Sequence, residues 1–381
     1  MIIPELKKTF IDNIQNVFGW RTKRKIVVIE SDDWGSIRMP SKEVHELLIK
    51  AGVRVDEEPY NKYDSLESED DLTNLLEVLS AFKDKNGNSP VITANCVMVN
   101  PDFEKIRASD FQEYHYELFT ETFKRYPKHA NSFKLLQEGI TKKLIYPQFH
   151  GREHVNVNSW MKALKENLKE TRLAFDLGLF GISTDNEKGL RSNYLAGLDY
   201  DFEEEKINLK LIVEEGLNLF EQIYGFRSVS FIAPSNTWSS WLEPVLYDSG
   251  VRYLKGSFIQ SEPAHSPGKI KYKRRYHYLG QINNHQQYYL VRSCYFEPSL
   301  NENFDWVNYC LHGIDNAFRW HKPASISTHR LNFIGFIDQS NRDRNLPLFK
   351  TLFSEMLRRW PDIEFMTSAQ LGDLISQPKS I

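Results

Sequence analysis

Residues 25–36 read KIVVIESDDWGS: a lysine, the branched apolar run Ile26–Ile29, then Glu30, Ser31, the adjacent pair Asp32 and Asp33, and Trp34 before a glycine. The apolar run predicts a buried strand. Its ending is the puzzle. Asp-Asp-Trp-Gly is good chemistry for capping a helix or turning a loop. Two carboxylates at the end of a buried strand, however, repel each other unless a cation or a proton neutralises one of them. A metal ion on one aspartate removes that conflict.

Working outward, runs of the same kind recur at Val91–Val97, Leu144–Phe149, Leu179–Ser183, Val229–Ala233, Arg252–Leu254, Ala324–Ser327 and Ile363–Met366. Longer segments with helical spacing separate them, such as Leu72, Leu75, Leu76 and Leu79, or Trp160, Leu164 and Leu168. Strand and helix in alternation predict an α/β fold with a parallel sheet, and this many strands favour a closed barrel coated by helices. Residues 101–143 read as a helical insertion with a mostly solvated face. Residues 260–300 contain KIKYKRRYHYLG and HQQYYLVRSCYF, which read as the arms of a β-hairpin insertion joined through Gly280–Asn284. No repeat, linker or domain boundary interrupts the chain, so residues 1–381 read as a single barrel domain.

Composition narrows the function classes. Lys and Arg total 48 against 51 Asp and Glu, a formal charge of -3, so no global field favours nucleic acid or an anionic membrane. Cys96, Cys294 and Cys310 lie far apart, without metal-ligand spacing or an even disulfide count, which suits a reducing compartment. The N-terminal stretch lacks the uninterrupted apolar core of a signal peptide, and no run approaches the length of a membrane span. The expectation is a soluble, cytoplasmic protein.

Active sites of parallel barrels form at the C-terminal ends of the strands. Those ends carry Asp32 and Asp33, the segment FHGREHVN with His150 and His154, the segment APSNTW, and His329. His150 and His154 are four positions apart, so on a helical turn both imidazoles face one metal. Chance supplies about 0.3 such pairs in a chain with this histidine content, so the pair gains weight from its company. With a carboxylate from another strand end it completes a two-histidine, one-carboxylate set with positions left for water and substrate.

At these residues the chain resembles the polysaccharide deacetylases of carbohydrate esterase family four, the chitooligosaccharide deacetylase homology family. The family's first motif, T-F-D-D-G, appears as Glu30, Ser31, Asp32 and Asp33, with Trp34 intervening before Gly35. Its H-S-x-x-H motif appears as His150, Gly151, Arg152, Glu153 and His154. The third, R-x-P-[YFW], aligns in part with Ile232, Ala233, Pro234 and Ser235. The Asp-Trp pair of the fourth corresponds to Asp305 and Trp306, and the fifth, L-x-H, to Ser327, Thr328 and His329.

The resemblance implies a distorted (β/α) barrel of seven or eight parallel strands. It implies one divalent metal, zinc by default with iron, cobalt or nickel as alternatives, held by Asp33, His150 and His154. Asp32 becomes the general base, His329 the general acid, and the substrate an acetylated carbohydrate. The family's third-motif arginine, which orients the base, is replaced by Ile232, so either another cation substitutes, with Arg152 and Arg330 as candidates if they are not ordinary surface arginines, or base tuning is lost. Trp34 and Trp238 lie just past strand ends, where an aromatic ring either stacks on a sugar or packs into the core, and Pro234 of the third motif is a further candidate to touch substrate. The competing readings are a metal-dependent glycoside hydrolase on a related barrel, which needs a carboxylate nucleophile and a second acid, and a non-catalytic carbohydrate-binding relative.

Overall fold

The computed structural model describes residue 13 and residues 15–182, 193–264 and 270–377. Its strands are β1 (Lys25–Trp34), β2 (Ile92–Cys96), β3 (Val99–Pro101), β4 (Tyr116–Leu118), β5 (Ile145–Phe149), β6 (Ser230–Phe231), β7 (Tyr253–Gly256), β8 (Ile259–Pro263), β9 (Tyr272–Tyr276), β10 (Tyr288–Val291), β11 (Cys294–Tyr295), β12 (Ala324–His329) and β13 (Ile363–Met366). One nine-stranded sheet runs β10-β7-β6-β5-β2-β1-β12-β11, with β13 also on β1. Every pairing in it is parallel. β13 lies along Lys25–Val28 and β2 along Ile29–Trp34, while β12 spans Val27–Asp32 on the other flank.

The two ends of that strand order, β10 and β11, are separated in the chain only by Arg292 and Ser293. The sheet edges must therefore meet, and the sheet curls into a distorted (β/α) barrel whose seam is crossed by chain instead of a strand ladder. Arg292 N donates to Gly256 O on the β7 side, and Ser293 N donates to Ser325 O on the β12 side, each at 3.0 Å.

Period-two alternation sorts the side chains of β1. Val27 and Ile29 face the coating helices and share the main core with Leu72, Leu75, Leu76 and Leu79 of helix Glu69–Ser80. That helix starts at Glu69, where Ser68 and Asp71 form a capping box. Ile26 and Val28 face the barrel interior, packing with Tyr253, Leu290 and the helix Ser368–Ser376 that plugs the bottom. Glu30 and Asp32 continue the same inward face toward the C-terminal end. The interior thus changes from apolar to charged along a single strand.

The structure corrects parts of the sequence reading. Leu179–Ile182 is buried but forms no strand, and Ser183 lies outside the described residues. The two aromatic runs of 260–300 form no ladder with each other among the described residues and meet around the connecting turn, where Gly280 N donates to Tyr289 O at 2.8 Å. β9, within KIKYKRRYHYLG, pairs antiparallel with β8, whereas β10 and β11 enter the main sheet and raise it to nine strands. In 101–143, Phe119, Phe123 and Leu136 join the main core, so this segment is more buried than its charge pattern indicates. No helix among the described residues is long and apolar enough to cross a membrane.

Candidate active site

A regular strand would send Asp32 and Asp33 to opposite faces of the sheet. The pairing of β1 with β2 slips between Ser31 and Trp34, and Asp33 has φ 75°. This bulge re-aims the second aspartate, so both carboxylates line one cavity of about 390 Å³ with Arg38, Tyr60, His150, His154, Arg292 and His329. Gly35 at φ 78° completes the turn, and a Cβ there would stand 3.0 Å from both the Phe119 ring and Val97 O. A larger cavity of about 530 Å³, bordered by Lys42, Lys62 and Lys128, contains none of the strand-end residues.

Around Asp33, two imidazoles converge on one oxygen. His150 Nε2 is 3.3 Å and His154 Nε2 3.0 Å from Asp33 Oδ1, all buried. These residues form the one group of potential metal ligands found among the described residues, with ligand atoms within 4.8 Å of one another. The histidines are not on a helical turn as expected. They sit on an irregular loop after β5 in which Gly151 has φ 125°, and Met98 N and Val99 N both donate to Arg152 O at 2.9 Å to fix its path. His150 Nδ1 lies 2.9 Å from Ile232 O. A carbonyl can only accept, so Nδ1 carries a proton, and Nε2 is the atom that faces the Asp33 carboxylate. Burial and Arg38 hold His154 at about 4, neutral near pH 7.

The donor set fits a divalent ion. Ligand bonds near 2.1 Å give ligand-to-ligand edges of about 3.0 to 3.4 Å, the spacing found between Asp33 Oδ1 and the two Nε2 atoms. Burial pushes nearby Asp64 up to about 6 despite Arg330 and Arg38, with a smaller push from Asp33. Arg38 Nη2 donates to the other oxygen, Asp33 Oδ2, at 3.1 Å.

Asp32 has a different setting. Its Oδ1 accepts from Asn95 Nδ2 and Arg292 Nη2, each at 2.6 Å, and its Oδ2 accepts from Arg292 Nη1 at 2.7 Å. The contacts close into a ring: Arg292 Nη2 and Lys255 Nζ each lie 3.3 Å from Glu30 Oε2, and Lys255 bonds Asn95. Burial alone would raise the Asp32 carboxyl, but the Arg292 fork outweighs it and holds the group well below the usual range. Asp32 is therefore ionised, with Oδ1 saturated and one Oδ2 lone pair free.

β12 pairs with β1 so that His329 stands opposite Asp32. Its Nε2 is 3.9 Å from Asp32 Oδ2, and its Nδ1 donates to Glu297 Oε1 at 2.7 Å. Glu297 Oε2 is in turn held by Asn332 Nδ2 at 2.6 Å. Burial opposes the charge on His329, but Glu297 prevails and lifts it to about 9.

None of the five side chains expected to touch substrate lines the cavity. Trp34 is buried in the main core with its Nε1 on Ser31 Oγ at 3.0 Å, and Trp238 packs edge-on against Phe231, so neither offers a face to a sugar. Pro234 is buried against Gly151. Arg152 pairs with Glu153 and Glu215, and Arg330 with Asp64 and Glu67. Neither is paired with Asp32; the arginine that is paired with it is Arg292. Asp305 is an exposed N-cap for helix Trp306–Arg319, accepting from Asn308 N at 3.0 Å.

Arg292, Glu297, Glu30 and Lys255 were not singled out from the sequence. A signal existed: YYLVR closes an apolar run on a charge, as VVIES does at the start of the chain.

No family model matches the sequence, and no curated protein matches it. Among solved structures, a protein from Mycobacterium smegmatis described as a polysaccharide deacetylase is 10% identical with TM-score 0.47, over 96% of each chain. A protein from Parabacteroides distasonis described as a glycoside hydrolase/deacetylase is 9% identical with TM-score 0.49, over 95% of this chain and 74% of its own. The 4-alpha-glucanotransferase of Thermococcus litoralis is 9% identical with TM-score 0.42, and this chain, covered over 91%, spans 40% of its length. Likeness this distant is one of chain path and assigns no activity.

Proposed function

We propose that the chain is a metal-dependent hydrolase that removes acetyl groups from a carbohydrate. Asp33, His150 and His154 hold one divalent ion, Asp32 is the general base and His329 the general acid. The observation that carries this reading is the pair in register on adjacent strands: a carboxylate kept ionised by Arg292 and a histidine kept protonated by Glu297, their titrations pushed apart beside a three-ligand group. The sequence resemblance to carbohydrate esterase family four supports the same roles.

When bound, a divalent ion supplies Lewis acidity, lowering the pKa of water and polarising an acyl carbonyl. The chain's own residues do the rest. Arg292 and Asn95 pin Asp32 so that its free Oδ2 lone pair takes a proton from the attacking water. His329 then gives its Nε2 proton to the departing nitrogen or oxygen, while Glu297 steadies the imidazolium before the transfer. Ile232, Ala233 and Leu300 wall the cavity with apolar surface, which strengthens every charge interaction inside it.

The test is to assay acetate release and reducing-end release from acetylated oligosaccharides, with and without added metal. Metal-dependent acetate without new reducing ends is the expected result. New reducing ends point to the glycosidase reading, and binding without either product points to a carbohydrate-binding protein.

A further inference from the structure

An acyl carbonyl under attack gains negative charge on its oxygen, and a preorganised donor aimed there is a large source of rate. The charged and amide donors around this cavity are committed elsewhere. The Arg292 fork goes to Asp32, Glu30 and Ser327, Arg38 binds Asp33 and lies near Asp64, and Asn236 Nδ2 donates to Ile259 O. His329 Nε2 is reserved for the leaving group.

Tyr60 stands out. It sits on the short helix Pro59–Tyr63 and lines the cavity. Its ring meets His329 edge-on at 5.3 Å between centroids, and the Arg38 guanidinium lies 5.9 Å from the same ring. Since His329 adjoins Asp32 and Arg38 adjoins Asp33, the ring spans the two halves of the site. No side-chain or backbone group among the described residues accepts from its hydroxyl. Burial, then Glu297 and Asp33, keep that phenol protonated, so it remains a neutral donor at working pH.

We infer that Tyr60 is a catalytic residue whose hydroxyl donates to the acyl oxygen as that oxygen gains charge, an inference that rests on the acetyl-hydrolysis reading. In the addition step, the water oxygen bonds to the acyl carbon, the carbonyl π pair moves onto the acyl oxygen, and the water's proton passes to Asp32. In the collapse, that pair re-forms the carbonyl, the bond to the leaving atom breaks, and His329 supplies the leaving atom's proton. Tyr60 keeps its own proton throughout.

Tyr60→Phe preserves the ring contact with His329 and removes only the donor. On the zinc-loaded protein, with 4-nitrophenyl acetate as probe, kcat should fall by about 10²- to 10³-fold, with KM and zinc content unchanged. Calorimetry with methylphosphonate, a tetrahedral anion mimic, should show at least about tenfold weaker binding to Tyr60→Phe than to the parent. If the parent releases no acetate from any probe, the hydrolase reading fails, and the methylphosphonate comparison still decides whether Tyr60 serves an oxyanion. A variant within twofold of the parent in both measurements overturns the inference.

Discussion

Asp32 and Asp33 are adjacent in the chain and equally buried, yet they face different company. Asp33 meets two imidazole nitrogens on one oxygen and a guanidinium on the other. Asp32 meets an arginine fork and an amide, with a protonated histidine across the strand pair. Placement of partners, not residue type, separates the two proposed roles: two imidazole nitrogens meet one oxygen of Asp33, whereas both oxygens of Asp32 meet the Arg292 fork.

The largest effect should come from the two imidazoles beside Asp33. His150→Ala and His154→Ala should each drop the purified protein from close to one divalent ion per chain to nearly none, read by elemental analysis, with the barrel still folded by circular dichroism. Unchanged metal content would return both to the status of ordinary buried histidines.

On the other half, Asp32→Asn removes the proton acceptor, since an amide cannot take the water's proton. Turnover should fall by about 10² to 10⁴ while substrate affinity stays near the parent value. Full activity in this variant would remove the proposed mechanism altogether.

Arg292→Met leaves Asp32 and Glu30 buried without their fork, a loss of about 3 to 5 kcal/mol in unfolding free energy. Denaturant titration measures it, and a loss below about 1 kcal/mol would mean that Lys255 and Asn95 hold the ring without Arg292.

A smaller effect is expected at His329. Its folded pKa of about 9 is raised above the ordinary histidine value, so the acid form and the stability it contributes are complete below about 6.5 and are lost as pH rises through about 9. Glu297→Gln removes the main raising influence. The alkaline limb of kcat/KM should move down by about one unit or more; a limb that does not move would assign it to another group.

Much of this arrangement was legible in the sequence because strand ends announce themselves when an apolar run stops on a charge. IVVIESDD, the two histidines after YPQF, and the histidine after SIST all carry that mark. The partners were harder to see. Arg292 sits at the barrel seam, where the chain steps between sheet edges, and that step depends on a curl that no local pattern encodes. Glu30 could have been found, since it is two positions before Asp32 on the same face of a strand. The bulge at Asp33 could not, because a positive φ at an aspartate is a backbone outcome of the slipped pairing with β2. The tryptophans were open to two readings, because a ring next to a strand end packs inward as readily as outward, and Trp34 and Trp238 both pack inward.

The division between the two aspartates is tested most directly by metal content in Asp32→Asn and Asp33→Asn, purified and loaded with zinc side by side. A neutral amide is a much poorer ligand for a divalent cation than a carboxylate. Asp33→Asn should therefore lose the ion, and Asp32→Asn should retain close to one per chain. Equal loss in both would mean that the two carboxylates share the metal and that the base lies elsewhere, contradicting the separation that Arg292 and the bulge are taken to enforce.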